Sequence, residues 1–447
     1  MTFGGFSPAE LSKLSKASLK DVQQALLGPT LEHAATQIPY YRERWGNRWR
    51  RVRTVEDLPR LPLLEKPDAI EQQEKLGGPQ AHRYVGIISS GTSHGERRPL
   101  RVARSDEELE ALDVYRRARY APPPDADRAP AEPSREVVLE VRSMQHGLPE
   151  HPAPPHLLRI PFSFTANGFR LFRELVSRPL ADGRKVTGII AGLGAIKPLT
   201  AHLLESGLDP SDFGVTEIGI NGYRITTHWR QVLERAWGAE VFDVFSLSEF
   251  ATPALECKAC GYNHWQDPPL IVEVLDAFTH RPITKGTGLM ALTGLYPFVQ
   301  AFPLIRYFTG DLVEIGPDCP RGGRGVLCRG RASQCLLKKG APLLVSPMDV
   351  EEFLDGTPDA SRDVHPVQTL GLIRSPDTGL PRFELHAGPK APRVVVELRY
   401  DPHVFPERAG EVAAGLTKFL RSKSRALKAL DVQLVGPGVL KGKRSKY

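Results

Sequence analysis

The middle of the chain alternates strand-like and helical segments, and this alternation constrains the fold more than any other feature. The strand-like runs VTGIIAGL, TEIGI and VFDVF are separated by PLTAHLLESG and THWRQVLERAWG, which have helical patterning. Strands that alternate with helices of this length are typical of α/β layers built on a largely parallel sheet. The sequence therefore predicts an α/β fold.

The two ends of the chain differ from this middle part. At the start, Ser7, Pro8 and Glu10 predict the N-cap, the first-turn proline and the N3 acid of a helix. From about residue 333 onward, we predict the strands TLGLI, RFELHA, RVVVELRY and DVQLV and two helices, near 347–354 and 408–428. We therefore predict a large, multi-sheet N-terminal domain over residues 1–332 and a small α+β domain over 333–447, joined by a hinge.

A loop rich in hydroxyl groups and glycine follows the strand-like run YVGIIS. Glycines let a backbone approach a ligand closely, and consecutive amides and hydroxyls form a concave site for phosphate oxygens. No Gly-Lys-Ser/Thr follows at the Walker spacing, so the stretch alone fits an ordinary turn as well as a phosphate site. The residues concerned are Ser89, Ser90, Gly91, Thr92, Ser93 and Gly95.

Three further motifs lie far downstream of this loop. VFDVFSLSEF breaks from a strand into a polar turn with Glu249, FPLIRYFTGDL puts Asp311 after a Thr-Gly turn at a strand end, and CRGRAS contains Arg331. Each has a plain alternative explanation: a solvated acid, a turn former and a surface charge. Their occurrence together, in this order and over this span, favours a shared site.

The set of motifs resembles the adenylate-forming superfamily of acyl- and aryl-CoA ligases, most closely its phenylacetate–CoA ligase branch. The resemblance covers nearly the whole chain, from IPYYRERW through SLSEFATPALEC to FPLIRYFTGDL. It implies a two-step reaction. A carboxylate attacks the α-phosphate of ATP to give acyl-AMP and pyrophosphate, and a thiol, normally that of coenzyme A, then displaces AMP.

The resemblance also implies roles for individual residues around one nucleotide. The loop from Ser89 to Gly95 would close over the β- and γ-phosphates, and Glu249 would hold Mg²⁺, a cation that prefers oxygen ligands. Asp311 and Arg331 would contact the ribose. The remaining assignments are Gly222 and Tyr223 at the adenine, Phe245 and the following Ser246 beside the reacting carboxylate, and Ser333 at the hinge.

The lysine that the family uses to neutralise charge at the carboxylate–phosphate junction has two candidates here. Lys443 follows Gly442, whereas an ungapped comparison leads to Lys446. A solvated basic tail is the third alternative. The chain also departs from the family at Phe245, where a tyrosine is usual, at Ser246, where a glycine is usual, and at Ser333, where an acid is usual. These departures predict a divergent member with an unusual substrate.

The cysteines form a separate group. Cys257 and Cys260 make a C-x-x-C followed by His264, and in a cytosolic chain this spacing indicates a metal or redox site rather than a structural disulfide. Some relatives carry a Cys-Pro-Cys pattern downstream, of which only Cys319 is kept here. With Cys260 as the replacement, Cys257, Cys260, His264 and Cys319 would make a tetrahedral structural zinc site. The alternative is a set of reduced, partly buried cysteines.

The predicted function is ATP-dependent activation of an aromatic carboxylic acid and its transfer to coenzyme A, with ATP/AMP, Mg²⁺ and coenzyme A as cofactors. Two alternatives remain: adenylation with transfer to a carrier-protein thiol or an amine, and a non-catalytic nucleotide-binding or zinc-stabilised interaction protein. The net charge of +7 suits small polyphosphates as well as nucleic acid, and no nucleic-acid-binding signature is present. No signal peptide or membrane-spanning run is evident, which predicts a cytoplasmic protein without a membrane partner.

Overall fold

The computed structural model describes residues 2–78, 85–88, 100–119, 136–143, 157–250, 253–265, 270–320, 323–339, 341–388 and 391–440. These residues form two compact units. Unit one contains the described residues 2–119 and 245–327, and unit two contains 136–143, 157–244 and 328–440. None of the helices in the described ranges combines the length and the apolar character that crossing a bilayer requires.

Unit one begins with helices that pack on a large hydrophobic core. The predicted start of the first helix is confirmed, because the Ser7 hydroxyl accepts from the Glu10 amide and the Glu10 carboxylate accepts from the Ser7 amide. Tyr41, Trp45 and Phe298 are among the buried core side chains. The helices are α1 (Pro8–Ser15), α2 (Leu19–Gln37), α3 (Pro39–Trp45), α4 (Lys66–Glu71), α5 (Gln73–Leu76) and α6 (Asp106–Arg119), with 3₁₀ helices at Arg48–Arg51 and Val55–Arg60.

The strands of unit one are antiparallel wherever their direction is defined. A hairpin of β1 (Val85–Ile88) and β2 (Arg101–Arg104) flanks the predicted phosphate loop. The other strands follow the order β10-β11-β12-β13-β9-β8, which the prediction of a largely parallel sheet missed. They are β8 (Ala254–Glu256), β9 (Asn263–His264), β10 (Ile271–Leu275), β11 (Gly286–Thr293), β12 (Tyr307–Asp318) and β13 (Arg324–Arg331), of which residues 328–331 already belong to unit two.

Unit two contains the predicted α/β layer. Its strands follow the order β7-β6-β5-β3-β4 and are parallel, with apolar runs that are buried on both faces. Phe169, Trp229 and Trp237 contribute to the core between the sheet and its helices. The elements are β3 (Glu136–Ser143), β4 (Leu157–Phe162), α7 (Ala166–Ser177), β5 (Lys185–Gly192), α8 (Leu193–Glu205), β6 (Glu217–Asn221), α9 (Thr227–Trp237) and β7 (Glu240–Phe245).

The C-terminal part of unit two has a separate hydrophobic core and a smaller sheet of β16, β17 and β18. This agrees with the predicted α+β character, while the domain boundary after residue 332 stays a prediction. The elements are β14 (Leu336–Lys338), β15 (Ala341–Val345), α10 (Pro347–Leu354), α11 (Pro366–Thr369), β16 (Phe383–His386), β17 (Arg393–Glu397), α12 (Pro406–Lys423) and β18 (Asp431–Val435).

One predicted strand, TLGLI, is wrong. The His365 side chain accepts a hydrogen bond from the Val367 amide and caps α11, so a short helix occupies the start of this run. Gly371 then has a φ of 69°, which ends the helical turn. The end of the run is apolar because Ile373 is buried in the core next to the parallel sheet and Leu372 packs against it, whereas Leu370 is exposed.

Candidate active site and metal centre

Glu249 lies at the centre of a buried polar cluster in unit one. Its Oε1 accepts a hydrogen bond from the Tyr307 hydroxyl at 2.9 Å and from the Lys66 ammonium at 3.2 Å. The guanidinium of Arg104 donates to the Glu249 carbonyl oxygen at 2.7 Å. The Glu249 side chain is only 7% exposed, so its charge is held in place by an opposite charge and a hydroxyl rather than by bulk water.

Among the described residues, hydrogen-bond donors reach only one of the two carboxylate oxygens of Glu249. Both described contacts reach Oε1, and no residue in the described part of the chain donates a hydrogen bond to Oε2. A fixed carboxylate oxygen of this kind is the ligand that Mg²⁺ prefers. The cluster therefore fits the magnesium role that the sequence resemblance implies for Glu249.

Asp311 lies within a strand, not at the predicted strand end. Between Leu289 and Ala291 on β11, the paired residue on β12 changes from Leu312 to Phe308, so β12 carries extra residues there. Gly310 has a φ of 76° at this irregularity, which explains why the Thr-Gly pair resembles a turn in the sequence. A β-bulge redirects the neighbouring side chains, and Asp311 is buried beside it.

Phe245 ends β7 and its ring packs edge-to-face on Trp265, with 5.4 Å between the ring centroids. Phe245 is half-buried against the core of unit one, and Ser246, the next residue, is exposed. The two predicted substrate-side residues thus lie at the point where the strand leaves the sheet.

In unit two, the predicted adenine residues lie just after β6. Gly222 has a φ of 73°, which favours glycine, and the Tyr223 hydroxyl donates to the carboxylate of Glu351 on α10. Arg331 ends β13, and Ser333 lies in the 3₁₀ helix Ala332–Gln334. Their roles at the nucleotide stay predictions.

Helix α8 of unit two carries a buried cation, Lys197, that the sequence motifs did not predict. The Lys197 ammonium donates to the Gly379 carbonyl oxygen at 3.3 Å and lies 4.2 Å from the centre of the Trp229 ring. Burial lowers the pKa of Lys197 to about 8, although the acids Asp355, Glu351 and Asp377 oppose this shift. Arg362 adds to the lowering.

This shift predicts a specific pH dependence of stability. Between about pH 8 and 10.5, folded Lys197 loses its proton while the unfolded chain keeps it, so the cost of a buried ammonium disappears as the pH rises. Relative to Lys197→Met, the wild-type free energy of unfolding should therefore rise by about 2–3 kcal/mol from pH 7 to 10. Urea unfolding of the wild type and the variant at pH 7 and pH 10 measures this difference in the free energy of unfolding. Exposed Lys185→Met is the control, and an equal change in both variants would contradict the prediction.

Several predicted residues lie outside the described part of the chain. They are the phosphate-loop residues Ser89, Ser90, Gly91, Thr92, Ser93 and Gly95 and the two tail lysines Lys443 and Lys446. Their roles stay predictions.

The four predicted zinc ligands lie together in unit one. The ligand atoms of Cys257, Cys260, His264 and Cys319 are all within 4.8 Å of one another. Cys257 and Cys260 lie in the tight connection between β8 and β9, in which the Cys257 carbonyl oxygen accepts from the Gly261 amide at 2.7 Å, and His264 is in β9 itself. Cys319 follows β12. The cluster is largely buried, and none of its cysteines forms a disulfide.

The distances suit a tetrahedral zinc ion. Zn–S bonds of about 2.3 Å separate two thiolate sulfurs by about 3.8 Å, and the Sγ atoms of Cys257 and Cys319 are 3.7 Å apart. The Sγ of Cys260 is 3.2 Å from Nε2 of His264. Burial also lowers the pKa of His264, which favours the neutral imidazole that binds metals.

Sequence reasoning missed the partners of Glu249. Lys66, Arg104 and Tyr307 are 183, 145 and 58 residues away from it, so no local spacing links them. The only signal was the resemblance itself, which covers the segments that contain them.

Comparisons with known proteins identify a solved structure with a similar fold. No family model and no curated protein matches the chain. A solved open conformation of 2-hydroxyisobutyryl-CoA ligase, in complex with 2-HIB-AMP and CoA, has a TM-score of 0.65 at 16% identity, covering 96% of this chain and 90% of that one. The chain has the fold of this CoA ligase.

Two structures of the same ligase in its postadenylation state are also similar to this chain. With R3-HIB-AMP bound, its TM-score is 0.65 at 15% identity, and with 2-HIB-AMP it is 0.61 at 16% identity. Each covers 96% of this chain and 88% of the ligase. Since the identities are low, the match establishes the fold of this chain and not its substrate.

Proposed function

We propose that the protein is an AMP-forming acid–thiol ligase that activates a carboxylic acid with ATP and transfers the acyl group to coenzyme A. The observation that carries this proposal is the buried cluster around Glu249, the residue to which the sequence resemblance assigns Mg²⁺ binding. The shared fold over 96% of the chain supports it.

In this proposal, the first half-reaction depends mainly on charge neutralisation and positioning. Mg²⁺ would be held by Glu249 and would neutralise phosphate charge. Lys66 and Tyr307 keep the Glu249 carboxylate oriented. The nucleotide would contact Gly222, Tyr223, Asp311 and Arg331, the phosphates would contact the loop from Ser89 to Gly95, and Lys443 or Lys446 would reach the carboxylate–phosphate junction.

The proposed substrate is an aromatic acid, as the resemblance to phenylacetate–CoA ligases implies. Phe245, with Trp265 behind it, would form an apolar wall suited to a ring. The structural neighbour binds the adenylate of 2-hydroxyisobutyrate, an aliphatic hydroxy acid, so short hydroxy acids are the natural competitor. We propose coenzyme A as the acceptor and the cytoplasm as the location.

We further propose that Cys257, Cys260, His264 and Cys319 hold a structural zinc ion. Three thiolates and one imidazole fill a tetrahedral coordination sphere, which leaves no open position for a substrate. The ion would therefore stabilise unit one and take no part in acyl transfer.

A panel of carboxylic acids tests the function. The protein is incubated with Mg·ATP, coenzyme A and single aryl acids or short hydroxy acids, and acyl-CoA is detected by mass spectrometry. At least one aryl acid should give an ATP-dependent thioester. Pyrophosphate release without a thioester would favour a carrier-protein or amine acceptor instead. Neither product with any acid would favour the non-catalytic alternative.

A further inference from the structure

An arginine-rich segment of unit one begins within the IPYYRERW motif and continues beyond it, and no role has been assigned to its arginines so far. The stretch RERWGNRWRRVR contains six arginines and no lysine in twelve residues, and Glu43 is its only acid. The proposed reaction uses none of these side chains.

The structure presents these arginines on a fixed backbone. All six are exposed, whereas Trp45 and Val52 between them are buried in the core of unit one. The segment spans the end of α3 and the 3₁₀ helix Arg48–Arg51. Its last part is tied down because the Gln24 side chain donates to the Arg53 carbonyl oxygen at 2.8 Å.

Most of this positive charge is not neutralised by the protein. Arg44 pairs with Asp68 at 3.4 Å, and the one acid, Glu43, is taken by Lys75 at 2.6 Å. Among the described residues, no carboxylate pairs with the other five arginines. They form what we call the arginine surface: Arg42, Arg48, Arg50, Arg51 and Arg53.

We propose that the arginine surface is a docking site for an acidic protein partner. Exposed like charges repel one another, and a partner that brings carboxylates removes this repulsion. Each guanidinium can bind a carboxylate through two parallel hydrogen bonds, which an ammonium cannot do, and the segment contains arginine alone. This surface is independent of the proposed ligase activity.

A nucleic-acid partner suits the surface less well. Single-stranded nucleic acid is bound by stacking bases on open aromatic rings. Of the two aromatic rings in this segment, Trp45 is buried and Trp49 is half-buried. The guanidinium of Arg50 lies over the Trp49 ring, 4.8 Å from its centre. The 3₁₀ helix Arg48–Arg51 is only four residues long, too short to fill a major groove as a recognition helix does.

Binding of labelled poly-L-glutamate, followed by fluorescence anisotropy at low salt, tests the proposal. The triple variant Arg48→Gln/Arg50→Gln/Arg51→Gln should bind the probe roughly tenfold more weakly than the wild type. The matched control, Arg178→Gln/Arg235→Gln/Arg421→Gln, removes the same charge from exposed arginines elsewhere and should bind nearly as the wild type does. Unchanged melting temperatures would verify that both variants are folded.

Two results would overturn the proposal. Equal weakening in both triple variants would show that the protein attracts polyanions through its net charge alone. Tighter binding of a single-stranded oligonucleotide of matched charge, lost in the Arg48/Arg50/Arg51 variant, would assign the surface to nucleic acid.

Discussion

Glu249→Gln is expected to lower acid-dependent pyrophosphate release by roughly 100-fold or more. The amide keeps the shape of the side chain but removes the negative charge that would hold Mg²⁺ against the phosphates. Losing one fixed electrostatic group in an active site typically costs a factor of about 10²–10³ in rate. Steady-state pyrophosphate release with saturating Mg·ATP and an accepted acid measures the effect.

Two further variants make this result specific. Glu110→Gln removes a carboxylate from an exposed position on α6 and should leave the rate unchanged. Glu249→Gln leaves the Lys66 ammonium buried beside a neutral amide, which destabilises a protein. The double variant Lys66→Met/Glu249→Gln removes both charges. It should unfold at a higher temperature than Glu249→Gln alone and remain inactive, whereas recovered activity would remove Glu249 from the proposed metal site.

Cys319→Ser is expected to abolish zinc binding and to destabilise the protein by roughly 3–5 kcal/mol. Cys319 lies 62 residues from Cys257 in the sequence, so the proposed ion would join two distant parts of unit one. The substitution would leave three of the four ligands and a serine hydroxyl, which binds zinc poorly. Elemental analysis of protein purified without chelators should find about one zinc per wild-type chain and none in the variant.

The matched control for this experiment is Cys328→Ser. Cys328 is half-buried and forms no disulfide, and it is not among the clustered ligands. This variant should keep the full zinc content and most of the thermal stability. A wild-type protein without metal, or equal zinc in both variants, would contradict the proposed centre and leave the four residues as reduced core cysteines.

The parallel part of the fold could be predicted because its pattern is regular. Strands such as β5 and β6 alternate with long helices, and each is a continuous apolar run. The antiparallel part of unit one could not be predicted in the same way. The strands β8 and β9 are only three and two residues long, and the bulge at Gly310 makes the long strand β12 resemble a turn.

In the candidate site, too, the features that depend on local sequence could be predicted, and those that depend on tertiary contacts could not. The spacing of Cys257, Cys260 and His264 is local, and it already indicated a metal site. The support of Glu249 by Lys66 and Tyr307 arises only from tertiary contacts, so it required the structure. The arginines of residues 42–53 could not be interpreted from the sequence either, because their exposure and their acidic partners depend on the tertiary structure.

The central claim is that this chain forms an acyl-adenylate, and isotope exchange between pyrophosphate and ATP without any thiol tests it most directly. The account predicts exchange that requires both Mg²⁺ and a carboxylic acid and that Glu249→Gln abolishes. Absence of exchange with every acid of a broad panel, or exchange of undiminished rate in Glu249→Gln, would contradict it.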